Sequence, residues 1–161
     1  MEATERKLAT ILAMDVVDYS AKMSNDEETT LQSLRQCREI IERVVSSQKG
    51  RIFNTAGDAF MIEFASPVAA VTSAVTIQKE IKDRNDKLSA EEHLEFRMGV
   101  NMGDIMIEDE NLFGEGVNVA ARLEGIAPAG GICISEIIHS VVKGKVAVEF
   151  IDQGPQELKN I

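Results

Sequence analysis

The run LATILAMD (8–15) is apolar except for Thr10 and the carboxylate that closes it, which predicts a buried strand. Ser24 followed by Glu27 has the form of a capping box. Beyond it, Leu31, Leu34, Cys37, Ile41, Val44 and Val45 share one helical face, and Gly50 ends the helix. In RIFNTAGDAFMIEF (51–64) two apolar runs flank Gly57-Asp58, predicting a β-hairpin over 51–65. Ser66-Pro67 is an N-cap with proline in the first turn, and Val68, Val71, Val75 and Ile81 mark a second apolar helical face. Residues 82–92 are mostly charged and read as a frayed helix end plus a loop. FRMGVNMG and DIMIED (96–109) read as two paired strands, and a third helix covers about 115–126. A short strand in GGICIS, a helix near 135–143 and a strand in VAVEFID complete the pattern. The order is β-α-β-β-α-β-β-α-β-α-β. Its first half, βαββαβ, is the ferredoxin-like arrangement. The fold class is therefore α+β, one antiparallel-rich sheet with additional C-terminal β/α elements and helices on one face.

The length of 161 residues suits one domain with its own core. Seventeen Lys and Arg against 27 Asp and Glu leave a net charge of −10. That surplus argues against a nucleic-acid or anionic-membrane binder, which needs a basic face. It leaves small anions open. Cys37 and Cys133 lie far apart with no CxxC, and read as reduced thiols. LATILAM is too short for a signal-peptide core, and no segment approaches the roughly 18 apolar residues of a membrane span. The expectation is a cytoplasmic chain.

Two carboxylates carry the first chemical signal. Asp15 ends the first strand, and Asp58 begins the neighbouring antiparallel one. A βαββαβ sheet brings both to one edge, where two hard oxygen donors suit Mg²⁺ completed by waters and phosphates. The plainer alternative is a turn-forming Asp58 and a solvated strand-end Asp15. Asn118 and Arg122, four residues apart on the third helix, share a face. An amide beside a guanidinium suits a hydroxylated, phosphorylated ligand. The alternative is a surface Asn and an Arg paired with a nearby Glu. His93 and His139 stand outside these groups.

Taken together, AMDVVDYS (13–20), RIFNTAGDAFMIEF (51–64), RMGVNMGDI (97–105), LFGEGVNVAARLE (112–124), GGICIS (130–135) and LKNI (158–161) resemble the class III nucleotidyl cyclase catalytic domain. The likeness covers nearly the whole chain in family order, as one catalytic domain over 1–161. The family usually continues with one more strand after the LKNI position, and any regulatory domain would lie elsewhere. The resemblance implies that Asp15, Asp58 and the Val16 carbonyl hold two Mg²⁺ or Mn²⁺ ions. It implies that backbone N–H groups at Asp18, Tyr19 and Ser20 cradle the triphosphate, and that Lys159 contacts its terminal phosphates. Asn118 would orient the ribose and Arg122 would stabilise the pentavalent phosphorus. Positions 54 and 111 would read the purine. The site would form between two copies of the chain, one giving Asp15 and Asp58, the other Asn118, Arg122 and Lys159. The implied partners are thus a nucleoside triphosphate and a second copy, without nucleic acid or direct membrane insertion.

Three positions depart from the family pattern. The usual adenine reader is a Lys–Asp pair, replaced here by Asn54 and Asn111. An amide both donates and accepts, and a flip reverses the order, so weak base discrimination is expected, with ATP ahead of GTP. Asp18 stands where many relatives have Gly, and its carboxylate is expected to inhibit modestly by occupying the phosphate-binding amides or repelling phosphate. The expected activity is a cyclase releasing pyrophosphate. The alternative is a cyclase-like regulatory module of little or no turnover.

Overall fold

The computed structural model describes residues 5–148 and 150. Strand β1 (Glu5–Val16) lies in the middle of the sheet. It pairs antiparallel with β3 (Ala59–Phe64) on one side and β4 (Phe96–Glu108) on the other. With β2 (Arg51–Ala56) and β5 (Asn111–Phe113) the order is β2-β3-β1-β4-β5, and β6 (Ile132–Ile134) runs parallel to β4. The first four strands thus have the predicted βαββαβ arrangement.

Alternation along β1 builds two cores. Leu12, Met14 and Val16 join Phe60, Ile62, Phe64, Phe96, Met98 and Val100 on one face. That face is covered by α2 (Glu27–Ser47), α3 (Pro67–Asp86) and α5 (Glu136–Val142). Ala9, Ile11 and Ala13 point the other way, onto Ile105, Leu112 and Ala120 of α4 (Glu115–Ile126). Helices therefore cover both faces, not one, because the strand has apolar residues of both parities. On the second face the helix backbone meets the sheet at small residues. A Cβ on Gly99 would lie 2.3 Å from the Ala120 carbonyl oxygen and the Glu124 nitrogen.

The same close approach corrects the prediction for 96–109. This stretch is one strand through Glu108, not two. Gly103 is not a turn residue; a Cβ there would sit 3.0 Å from the Gly116 Cα. The pairing partner is β5, reached through a turn in which Asp109 is left-handed. A short α1 (Tyr19–Asn25) absorbs Ser24, and Asp26 caps α2 instead, accepting from the Thr29 N–H at 3.1 Å. Lys49, not Gly50, takes the left-handed conformation after α2. Gly50 makes room for the Phe64 ring, 2.6 Å from where its Cβ would be. Ser66 and Ser135 cap α3 and α5, accepting from Ala69 and Ile138. Helix α3 persists to Asp86, followed by a single 3-10 turn at Ala90–Glu92. Residues 146–148 and 150 are not in a strand; the rest of the strand predicted in VAVEFID lies outside the described residues. Cys37 and Cys133 are unpaired thiols.

Candidate active site

Asp58 sits in the two-residue turn between β2 and β3, where Gly57 supplies φ 62°. Its Oδ2 accepts the Val16 N–H at 2.9 Å, a bond spanning 42 residues. A local turn former would not need that bond. Asp15 is one residue before Val16, opposite Arg97 in the β1–β4 ladder. Ala13 pairs with Gly99 two residues back, so Asp15 and Arg97 face the α4 side. The two aspartates share one half-buried region. Burial pushes the Asp58 carboxyl above the ordinary range and the Asp15 charge adds to it, against the Val16 hydrogen bond.

A third carboxylate completes this region. Glu124 is carried on α4 and set against β4 by Gly99. Burial, then hydrogen bonding to Asp15 and the Asp15 charge, push its carboxyl up to about 8, while Arg97 opposes. Its Oε1 is enclosed and accepts no hydrogen bond among the described residues. That is the environment of a protonated carboxyl lying on Asp15. Sequence reasoning missed Glu124, although it closes the quoted GVNVAARLE motif. It stands about 200° round the helix from Arg122. Asn118 and Arg122 occupy the side of α4 turned away from the sheet; Asn118 is exposed and Arg122 half-buried.

Clustered negative charge that the protein only partly offsets suits a divalent cation. Among the described residues no set of three or more His, Cys, Asp or Glu side chains is arranged to hold a metal ion. Asp15 and Asp58 are two hard oxygen donors beside the Val16 backbone, a donor pair whose chemistry suits a divalent cation but is not by itself a full ligand set.

The other expected positions are distributed as follows. Asp18 is left-handed at φ 55°, at the N-cap of α1, and its side chain makes no capping hydrogen bond. The carboxylate therefore does not occupy the helix amides, contrary to one of the two routes expected for inhibition; at φ 55° it stands exposed instead. The Tyr19 ring packs on the first core, beside Gly57, and Ser20 is exposed. Asn54 is exposed on β2 and lines a surface cleft with Arg38, Glu42 and Phe53 that includes neither aspartate. Asn111 is half-buried, and its Oδ1 accepts the Leu112 N–H at 2.9 Å. A flip would set Nδ2 against that N–H, so the bond opposes reversal, while Oδ1 keeps a second lone pair and Nδ2 its donors. The free reversal expected of both amides is therefore opposed at Asn111 by its own backbone neighbour. Lys159 lies outside the described residues. His93 Nε2 bonds the Leu88 carbonyl at 2.9 Å and His139 packs edge-on against Phe150, both structural contacts.

Residues 1–160 match the family model described as the adenylate and guanylate cyclase catalytic domain. "Putative adenylate cyclase 3" of Rhizobium meliloti (strain 1021) is 44% identical over 161 residues, covering 99% of this chain and 27% of that protein. The chain thus spans about a quarter of that relative. A crystal structure described as an adenylate/guanylate cyclase/hydrolase from Silicibacter pomeroyi superposes with a TM-score of 0.91 at 38% identity, over 99% of this chain and 93% of the other. The adenylyl cyclase CyaB from P. aeruginosa shares the fold, with a TM-score of 0.83 at 24% identity over 99% and 91%. No helix among the described residues is long and apolar enough to cross a membrane.

Proposed function

Because the chain belongs to the adenylate and guanylate cyclase catalytic-domain family, we propose that it converts a purine nucleoside triphosphate to its 3′,5′-cyclic nucleotide. ATP is the expected substrate, ahead of GTP. The observation that carries this reading is the Asp15–Asp58 pair, locked by the Val16 N–H in a region of unbalanced negative charge.

The ribose 3′-oxygen attacks the α-phosphorus. The bond from that phosphorus to the bridging oxygen breaks, and pyrophosphate leaves. The proton of the 3′-hydroxyl passes to solvent; among the described residues no side chain is assigned as a dedicated base. Asp15, Asp58 and the Val16 carbonyl would hold Mg²⁺ or Mn²⁺, which when bound acidifies the attacking hydroxyl and offsets charge on the phosphates. Amides at Asp18, Tyr19 and Ser20 would take the triphosphate oxygens. Asn118 would hold the ribose so that the 3′-oxygen lies in line, removing much of the entropic barrier. Arg122 would place its guanidinium where charge develops on phosphorus. Lys159 would meet the terminal phosphates. Asn118 and Arg122 lie on the side of α4 away from the sheet carrying the aspartates. A second copy of the chain would bring the two halves together, giving two sites per homodimer.

The test is cyclic nucleotide formation with Mn²⁺ by the purified dimer, wild type beside Asp58→Ala. Turnover is expected to fall at least about 100-fold, some 2.7 kcal/mol of barrier. Equal turnover in the variant would sink the reading. A confirmed dimer without turnover points to the regulatory module.

A further inference from the structure

Strands β2 and β5 stand at opposite ends of the sheet order and share no ladder. Curvature nevertheless brings them into contact. Among the described residues, a hydrogen-bonding side chain crosses the seam between them. Arg51, the first residue of β2, donates from Nη1 to the Glu110 carbonyl at 2.7 Å, immediately before Asn111. Its Nη2 lies 3.1 Å from Glu63 Oε1, and its guanidinium rests 6.0 Å from the centre of the Phe53 ring. Glu63 is itself held by Lys7, so the anchor on the β3 side is fixed.

We propose that Arg51 is a positioning residue that clasps β5 to β2 and so sets the separation of Asn54 and Asn111, the two amides placed to read the purine. This rests on the cyclase reading above. Asn54 and Asn111 come from strands with no hydrogen bonds to each other, so the ladders alone leave their spacing unspecified. The β2–β3 register shifts between Ile52 and Asn54, an irregularity between the clasp and the reading amide. A bulge re-aims the residue that follows it, which makes the strand's outer tether matter more. On the β5 side the turn contains a left-handed Asp109, an uncommon conformation that its surroundings must hold. The planar guanidinium reaches a carboxylate and a carbonyl at once, which a lysine ammonium on a single flexible stem does less well.

The experiment uses the full chain as wild type, Arg51→Lys, Arg51→Met and, as a control, Arg6→Met. Arg6 makes an ion pair with Asp104 that is exposed at both ends. Two substrates are compared: ATP, and the 5′-triphosphate of unsubstituted purine riboside, which lacks the exocyclic amine. Arg51→Met should raise the Michaelis constant for ATP at least fivefold with kcat within twofold. The constant for the unsubstituted analogue should change less than twofold. Arg51→Lys should fall between, and Arg6→Met should match wild type. Equal changes for both substrates, or a loss confined to kcat, would overturn the proposal. Amide hydrogen exchange over residues 111–113 provides the measurement that does not depend on turnover. It should accelerate at least tenfold in Arg51→Met, and unchanged exchange overturns the clasp. A wild-type chain that forms no cyclic nucleotide, yet loses this protection on Arg51→Met, overturns the cyclase reading and leaves the clasp supported.

Discussion

The two faces of the central strand differ in how closely a helix rests on them. The face under α2 and α3 is filled by large side chains, with Phe60, Phe64 and Phe96 all fully buried. The face under α4 also buries Ile11, Ile105 and Leu112, but the helix backbone meets the sheet at Gly99, Gly103, Gly116 and Ala120. Large residues there would hold the helix away; small ones let its backbone rest on the strand. The first face stabilises. The second sets Glu124 of α4 against Asp15, turns Asn118 and Arg122 outward, and accepts unbalanced charge in doing so. On the proposed reading, stability and chemistry are divided by the parity of residues along one strand.

The sharpest test of that division sets Asp58→Ala, with its loss of turnover at little expected cost in folding, against Phe64→Ala. The latter should lower unfolding free energy by about 3–5 kcal/mol, measured by denaturant titration, while the folded fraction keeps its turnover number. If both variants lose activity and stability in proportion, the faces are not separate. Gly99→Ala comes next. Its methyl meets helix backbone that cannot rotate away, so a loss of about 1–3 kcal/mol is expected from overpacking. Unlike the phenylalanine variant, it should also lower turnover per folded molecule, because α4 moves. A pH effect follows in size. Glu124 titrates at about 8 in the folded chain against an ordinary 4.5. Between those values the folded chain keeps a proton that the unfolded chain has released. Stability from this group is therefore full below the lower value and is lost as pH rises toward 8. The melting temperature of chelator-treated protein should fall over this range, and Glu124→Gln should flatten the slope. Smallest is Asp18→Gly, which relieves a left-handed aspartate. It should stabilise by about 1 kcal/mol or less and lower the Michaelis constant modestly by removing phosphate repulsion. An unchanged melting temperature would mean that Asp18 carries no strain.

Much of this was readable locally. Spacing located the long helices, the 51–65 hairpin and the Ser66 cap, because periodicity and capping are properties of neighbouring residues. The Asp15–Asp58 pairing was also accessible, since it follows from strand order. Other features were not. Gly103 looked like a turn because nothing nearby in sequence signals the helix packed against it. Ser24 looked like a cap because the box pattern fits, yet it lies inside α1, and Asp26 caps the next helix by accepting from the Thr29 N–H and hydroxyl.

The amino-acid sequence by itself determined the long helices, the 51–65 hairpin and the residue types available for chemistry, because each depends on side-chain parity and turn preference within a few positions. Only the tertiary structure decided that Glu124 lies against Asp15, that Arg51 reaches Glu110 across 59 residues, and that the Asn111 oxygen is already engaged. These depend on how closely two backbones approach and how far a sheet curls. Both are properties of the whole packed molecule rather than of any segment.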